Sequence, residues 1–203
     1  LLLIMRSALL LFFSFFVFCS TRAAVNNPET VHFNTENPTG KLRFTTVVDG
    51  ITREYYVHIP SSYTGNIAVP MVFMLHGTSG DGEKFYDSKG WKELADEENF
   101  IAVFPSSMRY KINDFDEGFK TTTKWNTTPD TNWEFQPGEK GQDDIKFLRK
   151  VIVEIQGKFN IDASRIYLNG FSNGGQMAAK CSIEMSDVLA AVAENASSFF
   201  LDT

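Results

Sequence analysis

The stretch that decides the fold is Gly170-Phe171-Ser172-Asn173-Gly174, a G-x-S-x-G box. It follows the apolar run Arg165–Asn169, which has the composition of a strand, and precedes Gln176–Cys181, which has that of a helix. A serine on a tight turn between a strand and a helix is held in strained backbone geometry with its hydroxyl exposed above the sheet. Ser172 is therefore the candidate nucleophile.

An antiparallel pair of strands is predicted well before the box. Lys41–Asp49 and Ile51–Ile59 are both β-rich, and the second run alternates with a period of two, as a strand with two distinct faces does. The Asp49-Gly50 step between them is typical of a two-residue hairpin turn. The folded part of the chain is thus expected to open with a hairpin.

Strands and helices then alternate along the chain. Continuous apolar runs predict strands buried on both faces, and the alternation favours a mostly parallel sheet with helical crossovers. With an antiparallel entry and a serine box after a central strand, this is the layout of the α/β-hydrolase fold, which is the predicted class. The predicted strands are Met71–Leu75, Ile101–Phe104, Arg165–Asn169 and Leu189–Ala193, and the predicted helices are Gly90–Asn99, Asp143–Phe159 and Gly174–Met185. The middle helix is expected to carry one apolar stripe, because apolar residues recur in it at spacings of three and four, at Ile145, Leu148, Ile152, Ile155 and Phe159.

The motif His76-Gly77-Thr78 follows directly on the apolar run Met71–Leu75. A serine that attacks an ester creates an oxyanion, and fixed backbone N–H groups stabilise it without reorganisation. In this fold one donor is the residue after the nucleophile, here Asn173, and the other comes from the loop that carries the H-G motif. Thr78, or Gly77 beside it, is the candidate for the second donor, and His76 is expected to be structural.

Pro105–Lys140 is too long for a plain connection and carries six aromatic residues. Loops of this kind are usually lids or binding loops, so we expect it to wall a substrate pocket, with Trp125 and Trp133 in contact with substrate. Simple surface packing is the alternative. Asn126 lies in an Asn-x-Thr triplet of this segment and is a candidate for N-glycosylation.

Composition excludes several classes of partner. The 203 residues carry a net charge of -6 and no basic cluster, so nucleic acid is not an expected partner. Gly77–Gly82 has the glycine spacing of a phosphate-binding loop, but Glu83-Lys84 follows in place of Lys-Ser/Thr. His32, His58 and His76 lack the spacing of metal ligands. No cofactor and no metal are therefore expected.

The N-terminus has the composition of a secretory signal peptide. Met5-Arg6-Ser7 is a short positive start, Ala8–Phe18 is apolar, and Thr21-Arg22-Ala23 offers small residues before a cleavage site. A retained membrane anchor is the alternative, but the apolar core is shorter than the ~20 residues of a spanning helix. We therefore expect a secreted, extracellular protein with a signal peptide at 1–23, residues 1–4 preceding the true start, a polar leader at 24–40 and a partial α/β-hydrolase domain at 41–203.

Cys181 stays as a single cysteine once the signal peptide, which contains Cys19, is removed. An odd cysteine in a secreted protein implies either a buried free thiol or a partner outside this chain. A buried thiol would act as a small core hydrophobe. Both alternatives stay open at this stage.

A set of segments spread along the chain forms a recognisable pattern. The segments are Tyr55–Pro60, Val72–Gly77, Trp125-Asn126, Asp143–Leu148, Ile161–Tyr167 and the serine box. Together they resemble the secreted esterases of the polyhydroxybutyrate depolymerase and feruloyl esterase type. The resemblance runs from about Arg43 to Ser198 and implies an α/β-hydrolase that cleaves esters through an acyl-enzyme. It implies acylated plant polysaccharide, with feruloyl or acetyl groups on xylan, or a hydroxyalkanoate polyester as substrate.

The resemblance also implies a Ser–His–Asp triad in the chain order serine, acid, histidine. No histidine follows Ser172, and neither Asp187 nor Asp202 matches the position of the acid. We therefore expect a C-terminally truncated fragment in which Ser172 is a weak nucleophile. A binding protein without catalysis and a serine peptidase of the same fold are the alternatives.

Overall fold

A computed structural model describes residues 38–88, 90–114, 118–127 and 135–197. Strands and helices alternate over most of this range, as the sequence predicts. The strands are β1 (Gly40–Val48), β2 (Ile51–Ile59), β3 (Val69–Leu75), β4 (Ile101–Pro105), β5 (Met108–Asp114), β6 (Gly118–Lys124), β7 (Ile161–Phe171) and β8 (Ala191–Asn195). The helices are α1 (Gly82–Asp87), α2 (Trp91–Glu98), α3 (Asp144–Gln156) and α4 (Asn173–Glu184).

The described strands form a six-stranded sheet and a separate hairpin. The sheet has the order β1-β2-β4-β3-β7-β8, and β5 pairs with β6. The pairs β1–β2 and β2–β4 are antiparallel, whereas β3–β4, β3–β7 and β7–β8 are parallel. The prediction of an antiparallel entry into a mostly parallel sheet is confirmed, and β7, which leads into the serine box, lies next to the end of the sheet.

The first hairpin turns at Asp49 and Gly50, as the sequence predicts. Both residues have positive φ, 51° and 80°, which the tight turns that match the twist of paired strands require. Val48 pairs directly with Ile51 across the turn. Lys146 from α3 forms an ion pair with Asp49 and so attaches the turn to the helical layer.

Helices cover the sheet on both faces. Neighbouring residues of a strand point to opposite faces, so they pack under different helices. Phe73 packs in the cluster under α3 and α4, whereas its neighbour Met74 packs in the cluster under α1 and α2. Of the stripe predicted on α3, Ile145 is partly buried and the remaining residues are buried. The buried members are Leu148, Ile152, Ile155 and Phe159.

Two predictions about the strands need correction. The strand predicted at Leu189–Ala193 forms two residues later, as β8, and most of it is exposed rather than buried on both faces. Pro105–Lys140 is not an irregular loop, because β5 and β6 form an antiparallel hairpin within it. The missed signal is a period-two alternation in which Tyr110 and Ile112 are buried.

The predicted signal peptide at 1–23 and most of the predicted leader at 24–40 lie outside the described residues. Trp133 and Asp202 also lie outside them. Among the residues that are described, no helix is both long and apolar enough to cross a membrane.

Candidate active site

Ser172 occupies the turn between β7 and α4 with φ 53° and ψ −122°. A backbone of this kind at a residue other than glycine costs about 1–3 kcal/mol and persists only where surrounding contacts enforce it. Its N–H donates to Asn195 O at 2.9 Å, and its own carbonyl accepts from Gly175 N at 2.8 Å and Gln176 N at 3.1 Å. Ser172 Oγ makes no cap hydrogen bond to α4, so the hydroxyl is not tied to the helix that it precedes.

The two glycines of the box allow three chain segments to meet beside the serine. A Cβ built on Gly170 would lie 2.0 Å from Gly174 O, and one built on Gly174 would lie 2.3 Å from Leu75 O. Real atoms never approach so closely, so a larger residue at either position would push α4 away from β7 or β3. The box therefore fixes the start of α4 against the ends of both strands.

The loop after β3 lies directly beside the serine. A Cβ built on Gly77 would lie 3.1 Å from the Cβ of Ser172. Neither Thr78 N–H nor Asn173 N–H donates a hydrogen bond to another described residue. Asn173 is the first residue of α4, so the positive end of the helix dipole adds to its attraction for an anion. The role of Thr78 and Asn173 as oxyanion donors stays a prediction.

His76 is buried at the end of this strand, and both of its ring nitrogens have partners. Nδ1 lies 2.7 Å from Gly77 O and therefore carries the proton, since a carbonyl can only accept. Nε2 lies 3.1 Å from Ser107 N and accepts from it. Burial lowers the pKa of His76 from its ordinary value. The ring is thus a neutral structural group and is not available as a base for Ser172.

The β5–β6 hairpin braces the loop from Gly77 to Gly80. Ser79 N–H donates to Thr123 O at 3.0 Å, and Ser79 Oγ lies 2.7 Å from Thr122 Oγ1. Thr123 Oγ1 donates to Gly80 O. Ser79 has φ 67°, so the loop takes a conformation that needs such support. Part of the segment predicted to wall a pocket thus holds the candidate oxyanion loop, and whether the segment also contacts substrate stays a prediction.

The expectation that Trp125 contacts substrate is wrong, because its side chain is fully buried. Its indole Nε1 donates to His76 O at 2.8 Å, and its backbone N–H donates to Asn173 Oδ1 at 2.7 Å. A wide aromatic side chain in a long segment is as easily a core residue as a binding residue, and only the tertiary structure distinguishes the two.

The predicted glycosylation of Asn126 does not fit its placement. Asn126 Nδ2 donates to Gln142 O at 3.1 Å, and the same amide lies against Gly141 so closely that a Cβ there would be 2.4 Å from it. A glycan on this nitrogen would have to break the bond and displace Gly141. Asn126 N–H donates to Asp144 Oδ2 at 2.7 Å, which links the residue to a buried ion pair.

That ion pair joins Asp144, the first residue of α3, to Arg53 of β2. Arg53 Nη2 lies 2.6 Å from Asp144 Oδ1, and both side chains are almost completely buried. The guanidinium also lies 4.0 Å above the Phe147 ring and donates to Ser106 O. Asp143, by contrast, caps α3 by accepting from Lys146 N. The pair connects β2, the residue that follows β4 and the start of α3.

The other titratable groups considered for catalysis are engaged elsewhere. Asp187 forms an ion pair with Arg149, with 2.6 Å between Nη2 and Oδ1. His58 lies between Tyr86 and Asp96, with 3.0 Å from Nδ1 to the Tyr86 hydroxyl. Within the described ranges, no histidine is hydrogen-bonded to Ser172, and no group of three or more His, Cys, Asp or Glu side chains is placed to hold a metal.

Cys181 lies on α4 and is buried as a free thiol. Burial raises the pKa of this thiol to about 12. It packs in the core cluster between the sheet and α3, which is the placement expected for a small core hydrophobe.

The chain matches one family model and several curated proteins. A family model described as "Esterase PHB depolymerase" matches residues 54–203, which include the candidate oxyanion loop and the serine box. The bifunctional acetylxylan esterase/xylanase of Neocallimastix patriciarum is 27% identical over 144 residues, which are 71% of this chain and 18% of that protein. Feruloyl esterase B of Piromyces equi is 28% identical over 144 residues, which are 71% of this chain and 24% of its own length.

The fold is also that of solved serine hydrolases. An S-formylglutathione hydrolase from Agrobacterium tumefaciens superposes with a TM-score of 0.60 at 16% identity, covering 81% of this chain and 61% of that one. At this identity the likeness confirms the α/β-hydrolase fold. The chain spans about a quarter or less of the length of the two curated relatives that it matches.

Proposed function

The chain belongs to the family described as "Esterase PHB depolymerase", and from that membership we propose that the protein is a secreted serine esterase that hydrolyses carboxylic esters through Ser172. The observation that carries the proposal is the backbone of Ser172 at the start of α4, with Gly77 packed against it. Two further observations support the proposal, since neither Asn173 N–H nor Thr78 N–H donates a hydrogen bond to another described residue, and a serine at a strand-to-helix turn is the nucleophile position of this fold.

The reaction follows from these positions. Ser172 Oγ attacks the ester carbonyl carbon as its proton passes to a general base, which is not among the described residues. The carbonyl oxygen becomes an oxyanion and accepts from the N–H groups of Asn173 and Thr78. The intermediate collapses, the alcohol leaves with the proton, and water then releases the acid from the acyl-enzyme.

The proposed substrates are feruloyl or acetyl esters of a plant polysaccharide such as xylan, or a hydroxyalkanoate polyester. The names of the relatives support this range, since one is an acetylxylan esterase, one is a feruloyl esterase, and the family is described as PHB depolymerase. Secretion is proposed from the composition of residues 1–23. If the protein is expressed in a host that cleaves its signal peptide, N-terminal sequencing of the secreted protein should find Ala24 as the first residue.

The test uses the protein that the complete gene encodes, rather than residues 1–203 alone, and compares it with its Ser172→Ala variant on p-nitrophenyl acetate, methyl ferulate and a 3-hydroxybutyrate trimer. We expect the substitution to lower kcat/KM at least about 10³-fold on the preferred substrate. Ser182→Ala is the matched control, because Ser182 lies further along α4 and donates only to Ala179 O. Its turnover should equal that of the unsubstituted protein.

Two outcomes would overturn the proposal. Equal hydrolysis by the Ser172→Ala variant would show that the serine box has no catalytic role and would favour a binding protein. Serine-dependent cleavage of a peptide anilide that exceeds cleavage of every ester would assign a peptidase of the same fold.

A further inference from the structure

Trp125 joins the two segments that carry the proposed oxyanion donors. It lies just after β6, contacts the loop that follows β3 through its indole, and contacts the start of α4 through its backbone. We infer that Trp125 is a positioning residue that fixes the spacing between the N–H groups of Thr78 and Asn173. The inference rests on the proposed esterase function and names a residue without contact to substrate.

The first link fixes the oxyanion loop. The Trp125 indole N–H donates to His76 O at 2.8 Å, and the two rings pack with their centroids 5.1 Å apart. The His76 carbonyl lies at the point where β3 ends, two residues before Thr78. It also lies against Gly174, since a Cβ there would be 2.5 Å from the same oxygen. The carbonyl is thus confined between the indole and the first turn of α4.

The second link fixes the start of the helix. Trp125 N–H donates to Asn173 Oδ1 at 2.7 Å, and Asn173 Nδ2 donates to Gln176 Oε1 at 3.0 Å. Asn173 is buried, and both the oxygen and the nitrogen of its side-chain amide are hydrogen-bonded. Its backbone N–H therefore has a defined direction before any substrate arrives.

The residue that follows Trp125 is hydrogen-bonded to the core and to α4. The next residue, Asn126, donates its N–H to Asp144, which is paired with Arg53 in the core. Asn126 O accepts from Lys180 of α4 at 3.4 Å. Trp125 therefore cannot shift towards one link to compensate for the loss of the other.

The consequence for catalysis is geometric. Oxyanion donors act when they lie about 2.7–3.1 Å from the developing charge, and a displacement of about 1 Å at a reacting centre costs on the order of 100-fold in rate. If the indole N–H is removed, His76 O is left buried without its donor. The loop then relaxes, and Thr78 moves relative to Asn173 while the surface that binds substrate is unchanged.

The experiment measures kcat and KM of the full-length Trp125→Phe variant on the ester preferred by the unsubstituted protein, with kcat expressed per serine titrated by a fluorophosphonate. We expect kcat to fall by about 10- to 100-fold with KM within about twofold. A merely structural role would lower the number of titrated sites but not kcat per site. Tyr63→Phe is the matched control, since it also removes one hydrogen bond of a buried aromatic side chain. The Tyr63 hydroxyl accepts from Asn160 N near the opposite end of β3.

Substitution of Trp125 by 3-benzothienylalanine, which keeps the ring shape and lacks the N–H, tests the same link if the Trp125→Phe variant does not fold. An unchanged kcat per titrated site in either folded variant would overturn the inference. Loss of activity in Ser172→Ala together with an unchanged Trp125 variant would leave the esterase function standing and remove only the positioning role. Absence of serine-dependent turnover in the unsubstituted protein would instead overturn the function on which the inference rests.

Discussion

Gly77 and Ser172 face each other so closely that a methyl group on the glycine would lie 3.1 Å from Ser172 Cβ and 3.3 Å from the Phe171 ring. Ser172 cannot yield easily, because its backbone is strained and is held by Asn195 on one side and by the first turn of α4 on the other. The contact sets how far the candidate oxyanion loop stands from the nucleophile.

The first prediction concerns Gly77→Ala. The added methyl should push the loop a few tenths of an ångström away from Ser172 and lower kcat/KM for a simple ester by about 3- to 10-fold, since a displacement of about 1 Å costs on the order of 100-fold. Gly157→Ala is the control, because its nearest contact would be an ordinary 3.4 Å to Val153 O and its φ of −72° suits alanine. Steady-state kinetics give kcat/KM of both variants, and circular dichroism checks that both are folded. Equal activity in Gly77→Ala and the unsubstituted protein would show that the loop yields without loss.

The second prediction concerns the buried pair of Arg53 and Asp144. Asp144→Ala should lower the free energy of unfolding by about 3–5 kcal/mol, because it leaves a buried guanidinium and Asn126 N–H without their acceptor. Urea denaturation measures the change. In the double variant Arg53→Met/Asp144→Leu much of the loss should be recovered, since no unpaired charge is left in the core.

The matched comparison for this pair is Asp187→Ala, which breaks an ion pair with Arg149 on the surface. Exposed pairs contribute little, so the urea midpoint should hardly move. If the two single substitutions lowered the free energy of unfolding equally, burial would not explain the contribution of the Arg53–Asp144 pair to stability.

The third prediction concerns Cys181. Its thiol is buried, and burial raises its pKa to about 12, so almost no thiolate forms between pH 7 and pH 9. In a Cys19→Ser background, the native protein should react with a disulfide reagent far more slowly than a model thiol, and the rate should rise steeply in denaturant. Rapid labelling of native protein at pH 8 would place the cysteine at an accessible surface instead.

The sequence predicted those features whose causes are local. The Asp49-Gly50 turn, the stripe on α3 and the strand-serine-helix order depend on residues that lie close together along the chain, and each formed as predicted. The exposed β8 was mispredicted because apolar composition alone does not say whether the flanking layers cover a strand.

Contacts between distant residues could not be predicted in this way. Trp125 meets Asn173 across 48 positions and His76 across 49, and Arg53 meets Asp144 across 91. An indole or a guanidinium has the same local signature whether it binds a ligand or another part of the chain. The burial of Trp125 follows only from the way in which β6, β3 and α4 come together.

The hydrogen bond from Ser172 N–H to Asn195 O gives β8 an importance that its length of five residues does not suggest. Its register on β7, with Phe171 opposite Asn195, determines which carbonyl meets the nucleophile. Deleting or inserting one residue between α4 and β8 would present the opposite face of the strand there. The length of this connection is therefore under a functional constraint, and insertions that other surface turns tolerate should inactivate the protein at this one.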